Sequence, residues 1–309
     1  MKIKFYGVRG SIPTPLLPSE YREKIRSIIE FTLEKGKGLD ADTVLSNIPR
    51  DLQSIFGGNT SCIHIESNNR SIILDAGSGL KILGNDLDKR GDSEIHIILS
   101  HLHHDHINGV PFFKPLYSPQ KKVNFYGVHK NIEEVLNKNQ EKDLFPVQFN
   151  KTGSEKKFKY LKPLKSEDIN GFNITPIRMI HPNGCYGYKI IDKRGKKVIY
   201  ATDCEYPKNR NYSKWIEFYK DADLLIFDGQ YTQEDFKYFY NYGHSTPSIG
   251  VEIAVKANVK KLIIFHHEPM YNSKIILSHL QKAIDYREKQ FPNSKLKIEL
   301  ANEELEIEV

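Results

Sequence analysis

The chain has 309 residues, of which 39% are hydrophobic and 27% charged, a balance typical of a globular protein. This composition excludes a disordered tail and a coiled coil, and a chain of this length can bury a large core without a disulfide or a structural metal ion. The 45 basic residues exceed the 39 acidic residues by 6, which favours anionic partners but falls short of a dedicated nucleic-acid-binding protein.

The cysteines and the N-terminus suggest a compartment. Cys62, Cys185 and Cys204 are odd in number and form no CxxC pair, so neither a disulfide framework nor a cysteine zinc site is expected. Residues 1–11 alternate like a strand, unlike the apolar run of a signal peptide, and no apolar stretch approaches the roughly 20 residues of a membrane span. We therefore expect a soluble protein of the cytoplasm.

Hydrophobic periodicity predicts strands in two sets along the chain. The first half contains strand-like runs at residues 2–6, 61–66, 71–75, 94–99 and 122–126. The second set lies at residues 172–180, 186–191, 197–201, 223–228, 261–265 and 303–309. The lysine-rich segment 156–165, between the two sets, is interpreted as a solvated loop.

Helical periodicity is clearest at residues 21–33 and 273–290, and shorter helices are predicted at 131–142, 211–221 and 247–257. Strands dominate each half and helices follow them in blocks. This order favours an α+β fold in which two sheets pack face to face with helices outside, a four-layer αββα sandwich. We expect one domain that spans residues 1–309.

Residues 13–56 interrupt the first set of strands. They predict two helices, at 19–34 and 41–56, joined by the polar segment 35–40. The segment therefore reads as an inserted N-terminal helical hairpin. Three roles remain open for it: a cover for apolar surface, a substrate lid or a dimer contact.

The strongest chemical signal is an HxHxDH motif at residues 101–106, directly after the predicted strand 94–99. Four of the twelve histidines of the chain lie in these six residues. Alternate imidazoles at a strand-to-loop turn can point at one metal ion, while Asp105 and His106 point at a neighbouring ion. The spacing therefore predicts metal binding.

One motif cannot complete two metal sites, so further ligands are expected where other strands end. His181 follows the run 172–180, Asp203 follows the run 197–201, and His266 follows the run 261–265. Each is a ligand type placed where a strand opens into a loop.

With these residues in place, the chain resembles the metallo-β-lactamase-fold hydrolases. Within them it is most similar to the phosphodiesterase branch that contains transfer-RNA 3′ processing endonucleases and cyclic-phosphate diesterases. The resemblance spans nearly the whole chain. Its carriers, in chain order, are FYGVRGSIPTP, GGNTSC, ILDAGSG, SHLHHDHINGVPFF, HPNGCYGYKI, YATDCE, GHST and LIIFHHEP.

The resemblance implies a site for two divalent metal ions. The ligands that it implies are His101, His103 and His181 for the first ion, Asp105, His106 and His266 for the second, and Asp203 as a bridge. It also implies that Asp75 holds the ligand loop from a second shell. His266 is preferred to His267 because it directly follows the strand. Zinc fits these ligands, with manganese and iron as alternatives.

Asp228 and His244 match a second pair of the resembled branch, an acidic residue that ends a strand and the histidine of an HST motif. The acidic residue is usually glutamate, so the aspartate here is a departure. A carboxylate next to an imidazole favours its protonated form, and His244 could then protonate a departing oxygen. The alternative is a histidine that caps or packs beside the helix at 247–257.

These features predict hydrolysis of a small phosphodiester, a cyclic nucleotide or a cyclic phosphate, by water activated between two metal ions. Catalytic roles are expected for Asp105, Asp228 and His244. Only residues 182–202 separate His181 from Asp203, where the resembled transfer-RNA endonucleases commonly insert an RNA-gripping arm. The alternatives are a transfer-RNA 3′-processing-like endoribonuclease, a thioester or lactam hydrolase, and a non-catalytic nucleotide sensor. The resemblance also implies a homodimer.

Overall fold

Two seven-stranded sheets form the centre of the protein. The computed structural model describes the backbone of residues 1–309 and every side chain apart from that of Arg50. The strands are β1 (Lys2–Gly7), β2 (Cys62–Ser67), β3 (Arg70–Leu74), β4 (Glu94–Ile98), β5 (Lys122–Gly127), β6 (Glu155–Tyr160), β7 (Glu167–Ile169), β8 (Phe172–Met179), β9 (Cys185–Ile191), β10 (Lys197–Ala201), β11 (Leu224–Asp228), β12 (Lys261–Phe265), β13 (Lys297–Leu300) and β14 (Glu306–Glu308).

Both sheets are mixed. The first has the order β14-β1-β2-β3-β4-β5-β6 and is parallel from β3 to β6. The second has the order β13-β12-β11-β10-β9-β8-β7 and is parallel from β10 to β13. The C-terminal strand β14 returns to the first sheet and pairs with β1. The carboxyl ends of neighbouring parallel strands therefore share one edge in each sheet.

Helices lie outside the sheets. They are α1 (Pro18–Lys35), α2 (Ala41–Asn47), α3 (Arg50–Gln53), α4 (Leu80–Arg90), α5 (Ile132–Asn139), α6 (Ser213–Tyr219), α7 (Pro247–Lys256) and α8 (Ser273–Gln290). The helix predicted at residues 273–290 has the predicted bounds, and those at 131–142, 211–221 and 247–257 are shorter by a few residues at their ends.

Three apolar clusters fill the spaces between layers. The central cluster lies between the sheets and contains Phe5 of β1 and Phe265 of β12, whose ring centroids are 6.1 Å apart. A second cluster joins the outer face of the first sheet to α4 and α5, and a third joins the outer face of the second sheet to α6, α7 and α8. The four-layer αββα sandwich is therefore confirmed.

Three strands near the sheet edges, β6, β7 and β13, and helix α4 are absent from the sequence-based prediction. Strand β6 overlaps the lysine-rich segment 156–165, so the solvated loop expected there is wrong for residues 156–160. It is an edge strand paired with β5, and Phe158 stacks on Phe125 with 5.5 Å between ring centroids. Its exposed lysines are typical of edge strands, which use charge to prevent pairing with other chains.

The insertion at residues 13–56 is helical, as predicted, but its second helix is not continuous. Helix α2 ends at Asn47, and α3 begins after Pro49. Ile48 is extended, with ψ at 134°, because a proline disfavours the helical conformation of the residue before it. Within the described helix α1 no residue is buried, and Tyr21, Ile29 and Leu33 are all more than half exposed. Helix α1 therefore leaves part of its own apolar face exposed.

No helix among the described residues is long and apolar enough to cross a membrane.

Candidate metal centre

The site residues predicted from the sequence meet where strands of both sheets end. Asp75 follows β3, the HxHxDH motif follows β4, and His181 follows β8. In the second sheet Asp203 follows β10, Asp228 ends β11 and His266 follows β12. Within each sheet these strands run in the same direction, with β9 between β8 and β10, so their carboxyl ends share one edge and side chains distant in sequence converge.

The backbone turns sharply at three of these positions. Asp75, Asp203 and His266 have φ values of 59°, 49° and 62°, in the left-handed region that residues other than glycine seldom adopt. Each such residue costs on the order of 1–3 kcal/mol and persists only where its surroundings hold it. The strained strand ends therefore mark positions whose side-chain direction matters.

One group of ligand atoms comes from His101, His103 and His181. One nitrogen of each lies within 4.8 Å of the others. Nδ1 of His103 is 3.0 Å from Nε2 of His181, and Nδ2 of Asn183 lies 3.4 Å from Nε2 of His103. Nδ1 of His181 donates to the carbonyl of Gly243 at 2.9 Å, which leaves its Nε2 with a lone pair. We call these three histidines the first cluster.

A second group comes from Asp105, His106 and His266. Nε2 of His106 and Nε2 of His266 each lie 3.2 Å from Oδ2 of Asp105, and the two rings are stacked. All three side chains are buried. The backbone N–H of Ser11 donates to the same Asp105 oxygen at 2.8 Å. We call Asp105, His106 and His266 the second cluster.

Asp203 lies between the two clusters and directs one oxygen to each. Its Oδ1 is 3.8 Å from Nε2 of His101 and 3.8 Å from Nε2 of His181. Its Oδ2 is 3.2 Å from Nε2 of His106 and 3.3 Å from Nε2 of His266. A carboxylate in this position can bridge two metal ions.

The donor set fits divalent metal ions. Nε2 of His101 and Nε2 of His106 are buried and make no hydrogen bond of normal geometry with the described residues, although carboxylate oxygens of Asp105 and Asp203 lie 3.2–3.8 Å away. On the other side of these rings, Nδ1 of His106 donates to Asp75 at 2.7 Å, and Nδ1 of His101 lies 3.1 Å from the Ser100 hydroxyl. The ring protons are thus directed outward, and the lone pairs converge inward as metal ligands do.

The charges of the two clusters differ. In the first cluster, burial lowers the pKa of His101 and His103 and lowers that of His181 to about 4, so these imidazoles are neutral at neutral pH and able to bind metal. In the second cluster burial acts in the same direction, but nearby carboxylates outweigh it and raise the pKa of His266 to about 9. The second cluster therefore attracts positive charge, from protons or from a metal ion.

The carboxylate of Asp75 holds the loop that carries the HxHxDH motif. It is fully buried; Oδ1 accepts from the backbone N–H of Ser100 at 2.7 Å. Its Oδ2 accepts from the Ser100 hydroxyl, from Nδ1 of His106 and from the hydroxyl of Tyr200, each at 2.7 Å. One carboxylate thereby sets the direction of His106 and the start of the motif.

Asp228 and His244 are paired at the edge of the second cluster. Oδ2 of Asp228 lies 2.8 Å from Nδ1 of His244, and the carboxylate is fully buried. The His244 ring is stacked on that of His266, with centroids 5.1 Å apart. The bond at Nδ1 leaves Nε2 of His244 available for a proton transfer. His244 does not cap α7. The N-cap residue of that helix is Thr246, and no side chain of the described residues forms a cap bond there.

The structure adds a polar chain behind His266 that the sequence analysis misses. Nδ1 of His266 lies 2.9 Å from Oε1 of Gln230, and Nε2 of Gln230 donates to Glu268 at 2.6 Å. Because the Gln230 amide donates to Glu268, its oxygen accepts from His266 and fixes the ring proton at Nδ1. A Cβ at Gly10 would lie 2.6 Å from the His266 ring, so only glycine fits there.

His104, His267 and the GGNTSC segment lie near the proposed ligands but contribute no ligand atom to either cluster. His104 is exposed, and Nε2 of His267 donates to the carbonyl of Ala301 at 2.8 Å, so the structure brings His266 and not His267 to the second cluster. In the GGNTSC segment, Oγ1 of Thr60 accepts from the backbone of Ser78 at 2.9 Å, and the backbone N–H of Asn59 donates to Glu303.

Comparisons with known proteins agree with this geometry. Residues 70–267 match the family model described as the beta-lactamase superfamily domain. The chain is 27% identical to ribonuclease Z of Picrophilus torridus over 92% of this chain and 91% of that protein. It is 29% identical to YhfI of Bacillus subtilis, a probable metallo-hydrolase, over 67% of this chain and 79% of YhfI.

Solved structures share the fold. The crystal structure of YhfI from Bacillus subtilis, a metallo-beta-lactamase fold protein, superposes with a TM-score of 0.65 at 21% identity over 99% of this chain and 98% of YhfI. Human tRNase Z, short form, superposes with a TM-score of 0.60 at 17% identity over 100% of this chain and 99% of that structure. At these identities the likeness concerns the fold alone.

Proposed function

Because the chain belongs to the beta-lactamase superfamily, and because its relatives include a ribonuclease Z and a probable metallo-hydrolase, we propose that it is a dinuclear-metal phosphodiesterase acting on a small phosphodiester, a cyclic nucleotide or cyclic phosphate. The observation that carries this proposal is Asp203, which directs one carboxylate oxygen to each of two histidine clusters. The His244–Asp228 pair gives such a site a proton donor for a departing alkoxide.

The proposed metal ligands are those of the two clusters with Asp203 between them. The chemistry of the donors, five imidazoles and two carboxylates, suits zinc, and manganese or iron would also accept it. When bound, a pair of divalent ions supplies the positive charge that polarises a phosphoryl group and acidifies a water molecule. Asp75 and Gln230 hold the imidazoles in the required direction.

The protein itself supplies proton transfer and orientation. Asp228 accepts from the backbone N–H groups of Cys204 and Gln230 at 3.2 and 3.0 Å, which fixes it beneath His244. The fixed carboxylate orients the imidazole, so that Nε2 of His244 can give a proton to the leaving oxygen. The shorter side chain of aspartate reaches His244 at 2.8 Å, so the departure from glutamate does not prevent the contact.

The loop between His181 and Asp203 bears on the size of the substrate. Strands β9 and β10 occupy this stretch and are joined by residues 192–196, where Oδ1 of Asp192 accepts from the backbone of Arg194 and Lys196 at 2.9 Å. A turn this tight leaves no segment that could grip RNA at this place. The second candidate, a transfer-RNA 3′-processing-like endoribonuclease, is favoured by the similarity to ribonuclease Z of Picrophilus torridus.

The test is product formation by zinc-loaded protein from 3′,5′-cyclic AMP, 2′,3′-cyclic AMP, an aryl phosphodiester and a transfer-RNA precursor. Asp105→Ala removes a proposed ligand, and His104→Ala, an exposed neighbour in the same motif, is the matched control. The proposal expects turnover of at least one cyclic nucleotide that Asp105→Ala abolishes and His104→Ala retains. Cleavage of the precursor alone would assign the endoribonuclease, and two bound ions without any diester cleavage would favour an acyl hydrolase or a nucleotide sensor.

Four further points stay predictions. The chain is expected to act as one domain over residues 1–309, with 13–56 as an insertion. The exposed apolar face of α1 supports a homodimer, which native mass measurement tests. A cytoplasmic location is consistent with the three cysteines, each buried and unpaired in the described structure. Zinc content after purification without added metal tests the choice of metal.

A further inference from the structure

Glu205 is a buried carboxylate next to the metal centre that the proposed chemistry does not use. It lies two residues after Asp203 and is only 3% exposed. We propose that Glu205 is a positioning residue for the first cluster, because it holds the turn at residues 241–243 that fixes the ring of His181. The inference rests on the proposed function, since it concerns the same pair of metal ions, and it adds a residue that orients a ligand of one of them.

The carboxylate of Glu205 is bound by backbone N–H groups. Its Oε2 accepts from the N–H of Asn241 at 2.6 Å and from that of Gly243 at 3.4 Å. The hydroxyl of Tyr240 is a further neighbour of this carboxylate. A buried carboxylate is costly unless hydrogen bonds replace its water shell. The carboxylate and the turn therefore hold each other in place.

The turn that Glu205 holds has an unfavourable backbone conformation. Asn241 and Gly243 have φ values of 74° and 90°, both in the left-handed region. Asparagine and glycine tolerate this region better than other residues, but strained conformations persist only where the surroundings hold them. Backbone N–H groups of a tight turn can converge on one anion, and here that anion is the carboxylate of Glu205. Removing the carboxylate takes the acceptor from both N–H groups.

The same turn packs directly on His181. Nδ1 of His181 donates to the carbonyl of Gly243 at 2.9 Å, and a Cβ at Gly243 would overlap the His181 ring. The backbone N–H of Glu205 donates to the carbonyl of Ile180, the residue before His181, at 2.9 Å. Glu205 thus holds His181 in two ways, through its own backbone and through the turn. The bond at Nδ1 keeps the proton on that nitrogen and leaves Nε2 as the lone pair that faces the metal position.

Glu205 and Gln230 support different ligands. Gln230 lies behind His266 of the second cluster, whereas the chain from Glu205 through Gly243 ends at His181 of the first cluster. Outer partners of a metal ligand fix the direction and the basicity of its ring. Loss of Glu205 should therefore weaken the first metal position and spare the second. A residue that only stabilised the fold would not separate the two positions.

The experiment is competition for zinc between the protein and a chromophoric chelator, which measures both binding steps. Glu205→Leu removes the acceptor. Glu205→Gln keeps one side-chain oxygen, which suffices because both N–H groups donate to the same atom, Oε2. Asp105→Ala identifies the step that belongs to the second cluster. Glu252→Leu is the matched control, because Glu252 is 4% exposed and bonds to Arg210 and Lys256 rather than to the metal centre.

A second readout needs no metal ion. In the isotope-labelled, metal-free protein, the Nδ1 proton of His181 should exchange slowly with water, because the ring is buried and this proton is bonded to the carbonyl of Gly243. The variant His181→Gln assigns its NMR signal. Thermal unfolding of each variant shows that it is folded.

We expect Glu205→Leu to weaken the first-cluster step about 10- to 100-fold and to leave the second-cluster step unchanged. In this variant the His181 proton signal should be lost through faster exchange with water. Glu205→Gln should restore both the zinc affinity and the signal. Glu252→Leu should lower the unfolding temperature without changing either zinc affinity, because its carboxylate bonds to no residue of the metal centre.

The inference is overturned if Glu205→Leu binds both ions as tightly as the wild type, or if it weakens the two steps alike. It is also overturned if Glu252→Leu weakens the first step to the same extent, since the effect would then follow from lost stability. Failure of Glu205→Gln to restore the affinity would contradict the role of the carboxylate as an acceptor.

A wild type that holds fewer than two zinc ions would instead contradict the proposed function. The proton signal of His181 would then decide the inference separately. Its loss in Glu205→Leu and its return in Glu205→Gln would support the positioning role, and an unchanged signal in Glu205→Leu would overturn it.

Discussion

Gln230 offers a sharp test of how the second metal position is held. The substitution Gln230→Leu places an apolar side chain of similar size at a position only 2% exposed. It removes the acceptor 2.9 Å from Nδ1 of His266 and the donor 2.6 Å from Glu268. His266 would then lose the bond that fixes its ring proton at Nδ1, and its metal-facing nitrogen would no longer be set as a lone pair.

The expected loss follows from this geometry. Removing an outer-shell partner of a metal ligand typically lowers metal affinity about 10- to 100-fold, which corresponds to about 1.4–2.7 kcal/mol. The first cluster makes no hydrogen bond with Gln230 among the described residues, so only one of the two metal-binding steps should weaken. Competition with a chromophoric zinc chelator measures the two affinities separately.

Gln233→Leu is the matched control, because Gln233 is an exposed glutamine of the same segment that bonds to Ser248. Both binding steps should keep the wild-type affinity in this variant. If Gln230→Leu left both steps unchanged, the polar chain behind His266 would have no positioning role. If it weakened both steps alike, the separation of the site into two clusters would be wrong.

Three further predictions concern catalysis, stability and pH. Asp228→Asn should lower kcat on a cyclic nucleotide by about 100-fold or more while the bound metal stays unchanged, because general acid catalysis raises rates by about 10²–10⁴-fold. The variant should lose much less activity on an aryl diester, whose leaving group is better. Equal losses on both substrates would count against a proton-donor role. Leu83→Ala should lower the free energy of unfolding by about 2–5 kcal/mol, since Leu83 lies in α4 and is 1% exposed. Ile82→Ala, at a neighbouring residue that is 43% exposed, should lower it far less. Chemical denaturation measures both values. Burial lowers the pKa of His64 to about 4, below the pKa of roughly 6.5 in an unfolded chain. As the pH drops, the unfolded state therefore gains a proton first. The free energy of unfolding should fall between about pH 6.5 and pH 4, by up to about 3 kcal/mol. The His64→Leu variant should show a smaller fall over that window, and an identical pH dependence would exclude this contribution.

The parts of the fold that were predicted are those with strong local periodicity. Helix α8 and most central strands have apolar residues at a spacing that only one type of element can bury. Strand β6 lacks so clear a pattern, whereas α4 is absent from the prediction although its buried Leu80, Leu83 and Leu87 have helical spacing. The lysines of β6 suit a sheet edge as well as a loop, and Pro49, which divides the second helix of the insertion, acts on the residue before it.

The candidate site was predictable to the extent that its residues form compact motifs. The HxHxDH motif, and ligand types at the ends of strands, are visible in the sequence because metal ligands are few in kind and sit where strands open into loops. The polar chain from His266 through Gln230 to Glu268 carries no such pattern. Glutamine and glutamate are common surface residues, and only their meeting in space gives them a role.

The sequence by itself determined the class of fold, the candidate ligands and their chemistry, because hydrophobic period and residue type are local properties of the chain. Only the tertiary structure decided that His266 and not His267 faces Asp105, that Asp203 lies between two clusters and that Asp228 reaches His244. These outcomes depend on left-handed turns at strand ends and on the register of parallel strands. Both are set by packing between residues far apart in the chain, which no local pattern records.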